Sequence, residues 1–222
     1  MLNLLHQRVC ALLCGALLVG CSSTPDLPAF TASGYLADRG VVRIWRKNSD
    51  HQSIHMRTVF IPFDGDAMET TDYSWLNNNL TNVERQVTGK QPDTVTLRFD
   101  QQGNLNFMQR QLAGRREAVS SDSVELYRFD AQRMLQQSNA LLDGRVLLSQ
   151  GHWLGGIQVR TCEDKVINAP FDSSMVAALT QQQQRDPSVS LMVAWLEAPE
   201  GVQLLHITPT DECSWQPKES DF

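Results

Sequence analysis

The side chains with which this chain could do chemistry are few: five histidines, five cysteines and five tryptophans among 222 residues. Beyond the first twenty residues the histidines are His51, His55, His152 and His206. Nucleophilic catalysis needs a nucleophile held beside a base. The Gly-x-Ser-x-Gly turn that presents a serine that way does not occur, so no catalytic residue is assigned and the chain is read as non-enzymatic. His51 and His55 are the nearest approach to a metal pair. Their spacing would align two imidazoles on a helix, but they lie in a polar stretch entering a strand. There, positions four apart are about 13 Å apart, too far to share one ion, so no metal or cofactor is expected. Trp45, Trp75, Trp153, Trp195 and Trp215 could line a glycan or peptide groove, yet most are read as core because aromatic rings dominate burial. Trp153 stands apart, since it follows His152 and precedes Gly155-Gly156, a flexible pair suited to an exposed rim. His152 and Trp153 are therefore the candidate ligand-binding residues.

Cys21 carries the most specific signal. Residues 1–21 begin with a short segment containing Arg8, run apolar from Val9 to Val19 and end at Gly20-Cys21, the anatomy of a signal peptide. The apolar run is too short to cross a hydrocarbon core of ~30 Å. Leu18-Val19-Gly20-Cys21 resembles the bacterial lipobox. That resemblance implies cleavage before Cys21, diacylglycerol on its thiol and a further acyl chain such as palmitate on its amino group. At ~0.8 kcal/mol per buried methylene, two or three chains anchor a protein without measurable release. Ser22 and Ser23 stand where lipoproteins of this kind carry the Asp that retains them at the inner membrane, so the expected place is the outer membrane, facing the periplasm. Residues 21–29, with Pro25 and Pro28, read as an extended tether.

The remaining thiols follow from this. Cys10 and Cys14 leave with the signal and Cys21 is taken by lipid, which leaves Cys162 and Cys213 to pair as one disulfide in an oxidising compartment. A two-thiol metal or redox site is the weaker alternative, because the two are far apart in sequence and no histidine lies at ordinary ligand spacing from either.

Composition narrows the partners. Nineteen basic against 25 acidic residues give a formal charge of −6, and no basic stripe is available to displace counterions from phosphates, which excludes nucleic acid. A 41% hydrophobic content suffices for one ordinary core or two small ones. The expected partners are the membrane, through the lipid anchor, and an envelope protein.

The elements that must position these residues read as mainly β with a minor helical part. From Phe30 to Leu112 the pattern alternates with period two, as in Val95, Leu97 and Phe99 against Thr94, Thr96 and Arg98, and predicts an antiparallel meander of six or seven strands over 30–120. Gly114 to Ser121 breaks that pattern. Asp122 and Glu125 can form a capping box for a linking helix over 121–143 that Gly144 ends. Residues 144–222 predict three strands, a helix from Ser173 to about Gln184, and two strands joined at Ala198-Pro199-Glu200-Gly201. That is the element order of a small OB-like β-barrel.

The segments Phe30-Thr-Ala-Ser-Gly-Tyr-Leu-Ala-Asp38, Val42-Arg-Ile-Trp-Arg-Lys47, Arg98-Phe-Asp100 with Asn106-Phe-Met-Gln-Arg110, and Trp195-Leu-Glu-Ala-Pro-Glu-Gly201 together resemble the YjaH-like family of uncharacterised envelope lipoproteins of Gram-negative bacteria. The resemblance covers nearly all of the chain after Cys21. It implies no activity and assigns no residue beyond the acylated Cys21. The function expected from all this is an outer-membrane-anchored, non-catalytic binding or adaptor protein; the alternative is a small-ligand or glycan carrier using the C-terminal barrel.

Overall fold

The strand pattern resolves into two antiparallel sheets in a computed structural model that describes residues 27–49, 52–64 and 67–222. The signal peptide, Cys21, most of the tether and His51 lie outside the described residues. The first sheet runs β1 (Phe30–Ala37), β2 (Gly40–Ser49), β3 (Ser53–Pro62), β4 (Glu69–Leu76), β5 (Asn79–Val87), β6 (Asp93–Phe99), β7 (Leu105–Leu112) and β8 (Arg115–Glu117), each strand pairing with the next. Helix α1 (Ser121–Asp143) follows. The second sheet holds β9 (Leu147–Gly155), β10 (Gln158–Thr161), β11 (Val166–Asn168), β12 (Met192–Ala198) and β13 (Gly201–Thr208), with α2 (Ser173–Arg185) between β11 and β12. Its order is β11-β10-β9-β12-β13.

The eighth strand lies where a break was expected. Ala113 and Gly114 both adopt positive φ, +48° and +82°, the requirement of a type I′ hairpin turn, and β8 pairs back on β7 with Leu112 opposite Arg115. Helix α1 has the expected bounds but a different start. Its cap is Ser120, whose side chain accepts from Ser123 N, rather than an Asp122–Glu125 box; Glu125 instead pairs with Arg128 at 3.2 Å. The helix does more than link. Val124, Ala131 and Met134 pack on the inner face of the first sheet with Val42, Ile44, Val83, Val95 and Leu97.

The barrel is a second correction. The second sheet is open, with no ladder joining β11 to β13. β11 has only three residues, and α2 lies over the face instead, placing Leu179 with Val159, Phe171, Val193 and Trp195 in a separate core. The opposite face of that sheet packs on the first: Ala194, Leu196 and Leu205 meet Val41. This explains why β2 is buried from Gly40 through Arg46. Val42 and Ile44 face α1, while Val41, Arg43 and Trp45 face away from it. Gly34 sits opposite Arg43, where a Cβ would stand 2.7 Å from Val42 O and 3.4 Å from Leu205 Cδ2. A side chain there would prevent this approach of the sheets. Trp45, Trp75 and Trp195 are buried as expected. No described helix is long and apolar enough to cross a membrane.

Candidate functional site

Two groups of charged side chains flank the first sheet, one on each face. On the α1 side, strand register sets Thr71, Arg85, Val95 and Arg110 abreast across β4 to β7. Glu69 and Asp93 lie one row on, because residues two apart on a strand share a face. The result is a continuous ladder. Arg85 donates to Glu69 Oε2 at 2.7 Å and to Asp93 Oδ2 at 3.1 Å, and Arg110 holds Asp93 through two N–H groups at 3.0 Å each. Helix α1 supplies the roof, where Tyr73 donates to Asp130 Oδ2 at 2.8 Å and Asp130 also accepts from Arg133. Between ladder and helix lies a cavity of about 470 Å³, with Tyr73, Tyr127, Ser123 and Leu126 among its walls. That volume is in the range of small-molecule sites.

The ladder tunes its own members. Hydrogen bonds from Arg110, outweighing the opposing effect of burial, hold the Asp93 carboxyl below the ordinary carboxylate range. Burial, reinforced by the Asp130 charge, pushes the Tyr73 phenol well above its ordinary value. Burial raises Tyr127 as well. At neutral pH the site therefore offers fixed charges of both signs beside two un-ionised phenols. Such a surface can hydrogen-bond and stack on a polar ligand. None of these residues was singled out from sequence, although a signal exists. Arg85 is in phase with the inward Val83 and Val87, and Asp93 with Val95, Leu97 and Phe99, so both charges point at the core side.

The second group is buried at the junction of the two sheets. Arg43 is 0% exposed. It donates to Glu212 Oε2 at 2.6 Å and to Gln150 Oε1 at 3.1 Å, lies 3.0 Å from His206 Nδ1 and stacks 5.4 Å from the Trp215 ring centre. His206 Nδ1 is also 3.2 Å from Glu212 Oε1. A bulge places the histidine there: Ala194 pairs with His206 but Trp195 pairs with Leu204, so Leu205 is an inserted residue. Insertion reverses the alternation that follows, and Leu205 and His206 both face the first sheet. Pro62, Phe63, Met68, Thr208 and Trp215, with His206 and Glu212, line a cleft of about 410 Å³. Burial acts to raise the Glu212 carboxyl, but hydrogen bonds and charges from His206 and Arg43 outweigh it and leave it below its ordinary value. A histidine beside a carboxylate in a cleft is an arrangement that general acid–base catalysis uses. Here Arg43 and Glu212 both approach the same imidazole nitrogen, Nδ1 of His206.

Of the residues picked from sequence, Cys162 and Cys213 are joined, with Cα atoms 5.1 Å apart. His152 and Trp153 are neighbours on β9 and face opposite sides of the sheet. Trp153 packs on the α2 core and its Nε1 donates to Gly156 O at 2.9 Å. His152 Nε2 is 3.6 Å from Asp211 on the other side. His152, Asp211 and Cys213 lie within reach of one ion, but the Cys213 sulfur is bonded to Cys162 and offers no thiolate. His55 pairs with Asp72 at 3.2 Å, and Asp72 is shared with Arg57.

The family described as protein of unknown function (DUF1481) matches residues 32–218, from β1 through the segment that carries Glu212. The chain belongs to the DUF1481 family. It is 45% identical over 213 residues to a protein of Escherichia coli (strain K12) described as "Uncharacterized protein YjaH", a match spanning 95% of this chain and 91% of that protein. The YjaH-like resemblance of the sequence segments is thus that of a DUF1481 member. No solved structure matches this DUF1481 chain. Its matched region includes every residue of the ladder and of the junction cluster.

Proposed function

We propose that this chain is a lipid-anchored, non-catalytic binding protein of the outer membrane, facing the periplasm, whose ligand seat is the cavity between α1 and the first sheet. The cavity carries this reading: about 470 Å³ walled by both signs of charge and by Tyr73 and Tyr127, a surface suited to a polar, ring-bearing envelope component such as a peptidoglycan fragment. The lipobox at Cys21 supports the anchor. The test is thermal shift of the protein against muropeptides. A ligand at a hundred times its dissociation constant adds about 2.7 kcal/mol to stability. Tyr127→Ala should abolish the shift while leaving the protein folded, and the absence of a shift with every fragment would remove the cavity from the proposal. Replacing Cys21 by Ala should release the protein from the outer-membrane fraction, and retention there would overturn the anchor.

A second reading, an adaptor for an envelope protein, is favoured by Leu126 and Phe129. Both are 66% exposed and one turn apart on α1, with Leu126 at the rim of the cavity. In-membrane crosslinking from position 129 separates the readings, because an adaptor yields a discrete protein adduct and a small-ligand carrier does not.

A further inference from the structure

The disulfide and the buried ion cluster form one closed circuit. Gln150 Nε2 lies 3.9 Å from Cys162 Sγ and Gln150 Oε1 accepts from Arg43. Arg43 holds Glu212, and Glu212 immediately precedes Cys213, which closes back on Cys162. The segment Pro209–Phe222 therefore carries the only carboxylate that Arg43 contacts among the described residues. Its other contacts include Gln216 Nε2 donating to Glu163 Oε1 at 2.7 Å between exposed side chains. Trp215 meets Trp45 edge-on at 6.0 Å, Lys47 reaches Glu219 at 3.8 Å with the glutamate side chain 60% exposed, and the Phe222 ring leans on Phe30 and His55. Both cysteines are half-buried, so an attacking thiolate can reach the bond.

We propose that Cys162–Cys213 is a redox latch on the junction of the two sheets: reduction by a dithiol frees the segment that carries Glu212, and withdrawal of Glu212 from Arg43 opens the cleft beside β13. The chemistry balances within the exchange. One thiolate of the dithiol attacks a sulfur of the bond, forming a mixed disulfide and expelling the other cysteine as thiolate. The second thiol of the reductant then displaces the first cysteine. Cys162 and Cys213 end as thiols, having gained two electrons and two protons, and the dithiol ends as its own disulfide.

The ion pair transmits the change because Arg43 cannot stay as it is. Its Nε already has no hydrogen-bond partner, and a buried charge deprived of its counter-ion is strongly disfavoured. The guanidinium must then reach water, which requires the sheets to part at β13. The change should remain local, because the core under α1, with Val83, Val95 and Leu97, includes no residue of the released segment.

The test is labelling of Arg43 in the full chain by an arginine-selective dicarbonyl, read by mass spectrometry with and without dithiothreitol, with amide exchange of β5 and β6 followed in the same samples. Reduction should raise the rate of Arg43 labelling on the order of a hundredfold, reversibly on reoxidation, while β5 and β6 stay protected. An Arg43 that stays unlabelled after reduction overturns the latch. Labelling that rises only together with exchange across β5 and β6 also overturns it, because the bond would then hold the whole fold. Glu212→Gln with the disulfide intact should label several-fold faster than the parent without any reductant; labelling at the parent rate would show that the carboxylate does not hold Arg43, and the proposal fails.

Discussion

The two charged groups differ in what surrounds them, and that difference sets what each can do. The ladder Glu69–Arg85–Asp93–Arg110 stands at a cavity wall with its arginines a quarter to a third exposed. Water shares its charges, each pair contributes little, and a ligand can compete for them. The Arg43–Glu212 pair is 0% and 5% exposed. There, desolvation consumes most of the attraction, yet loss of one partner leaves a bare buried charge. One group is built to be available and the other to be indispensable. Position on a strand does not distinguish them, since Arg43 and Arg85 both sit within regular β structure; only the layer laid over each does.

The largest effect expected is at the junction. Arg43→Ala or Glu212→Ala should lower the unfolding free energy by about 3–5 kcal/mol, whereas Arg43→Met with Glu212→Leu together should be near neutral, because the double change leaves no unpaired charge. Denaturant titration of the three variants measures this, and equal losses in all three would erase the contrast with the ladder. The next effect is smaller. Asp93→Asn should cost about 1 kcal/mol with the fold intact, and it should weaken ligand binding at the cavity more than it weakens the protein. A loss as large as that of Arg43→Ala would mean that the ladder is structural and that the cavity is not a seat.

Acid tests both groups. Glu212 and Asp93 both have folded-state values below the ordinary ones, so in the window between the two the unfolded chain binds more protons. The stability each contributes is present above the unfolded value, about 4.3 for Glu and 3.9 for Asp, and is lost as pH falls through the folded value. A stability–pH profile of the parent should fall on the acid side below about pH 4. Glu212→Gln and Asp93→Asn should each flatten that fall, and a profile unchanged by both would contradict the assigned ion pairs.

Much of the framework was legible because it rests on parity and punctuation. Alternation marked β2 through β7, Gly144 marked the end of α1, and the two-residue turn at Pro199-Glu200 marked the last hairpin. What was hidden rests on layers and on breaks in parity. Arg43 reads as the outward member of an alternating pair until a second sheet is laid over it. His206 falls on the wrong side by simple counting because Leu205 is inserted in β13. Ala113 gave no sign of a left-handed turn, since the residue type does not favour it. Asp93 and Arg85 were readable in principle, as charges in phase with apolar stripes, but a charge on a strand is ordinarily taken for its wet face. The expected OB-like barrel is an open sheet instead, because element order carries no information about whether a three-residue strand can reach its partner.

Salt gives the finest separation. Raising ionic strength from 0.15 to 1 M shortens the screening length from about 8 to about 3 Å, comparable to the distances within the ladder, whose arginines already meet solvent. The stability difference between the parent and Asp93→Asn should therefore shrink by a few tenths of a kcal/mol. The difference between the parent and Arg43→Ala should move less, because a pair 0% and 5% exposed is screened much less than one that meets solvent. Comparing the differences rather than the absolute stabilities cancels the general effect of salt on apolar burial. If both differences shrink alike, the junction is wetter than its packing implies; if neither moves, the ladder is drier, and its charges are less available to a ligand than its place at the cavity wall suggests.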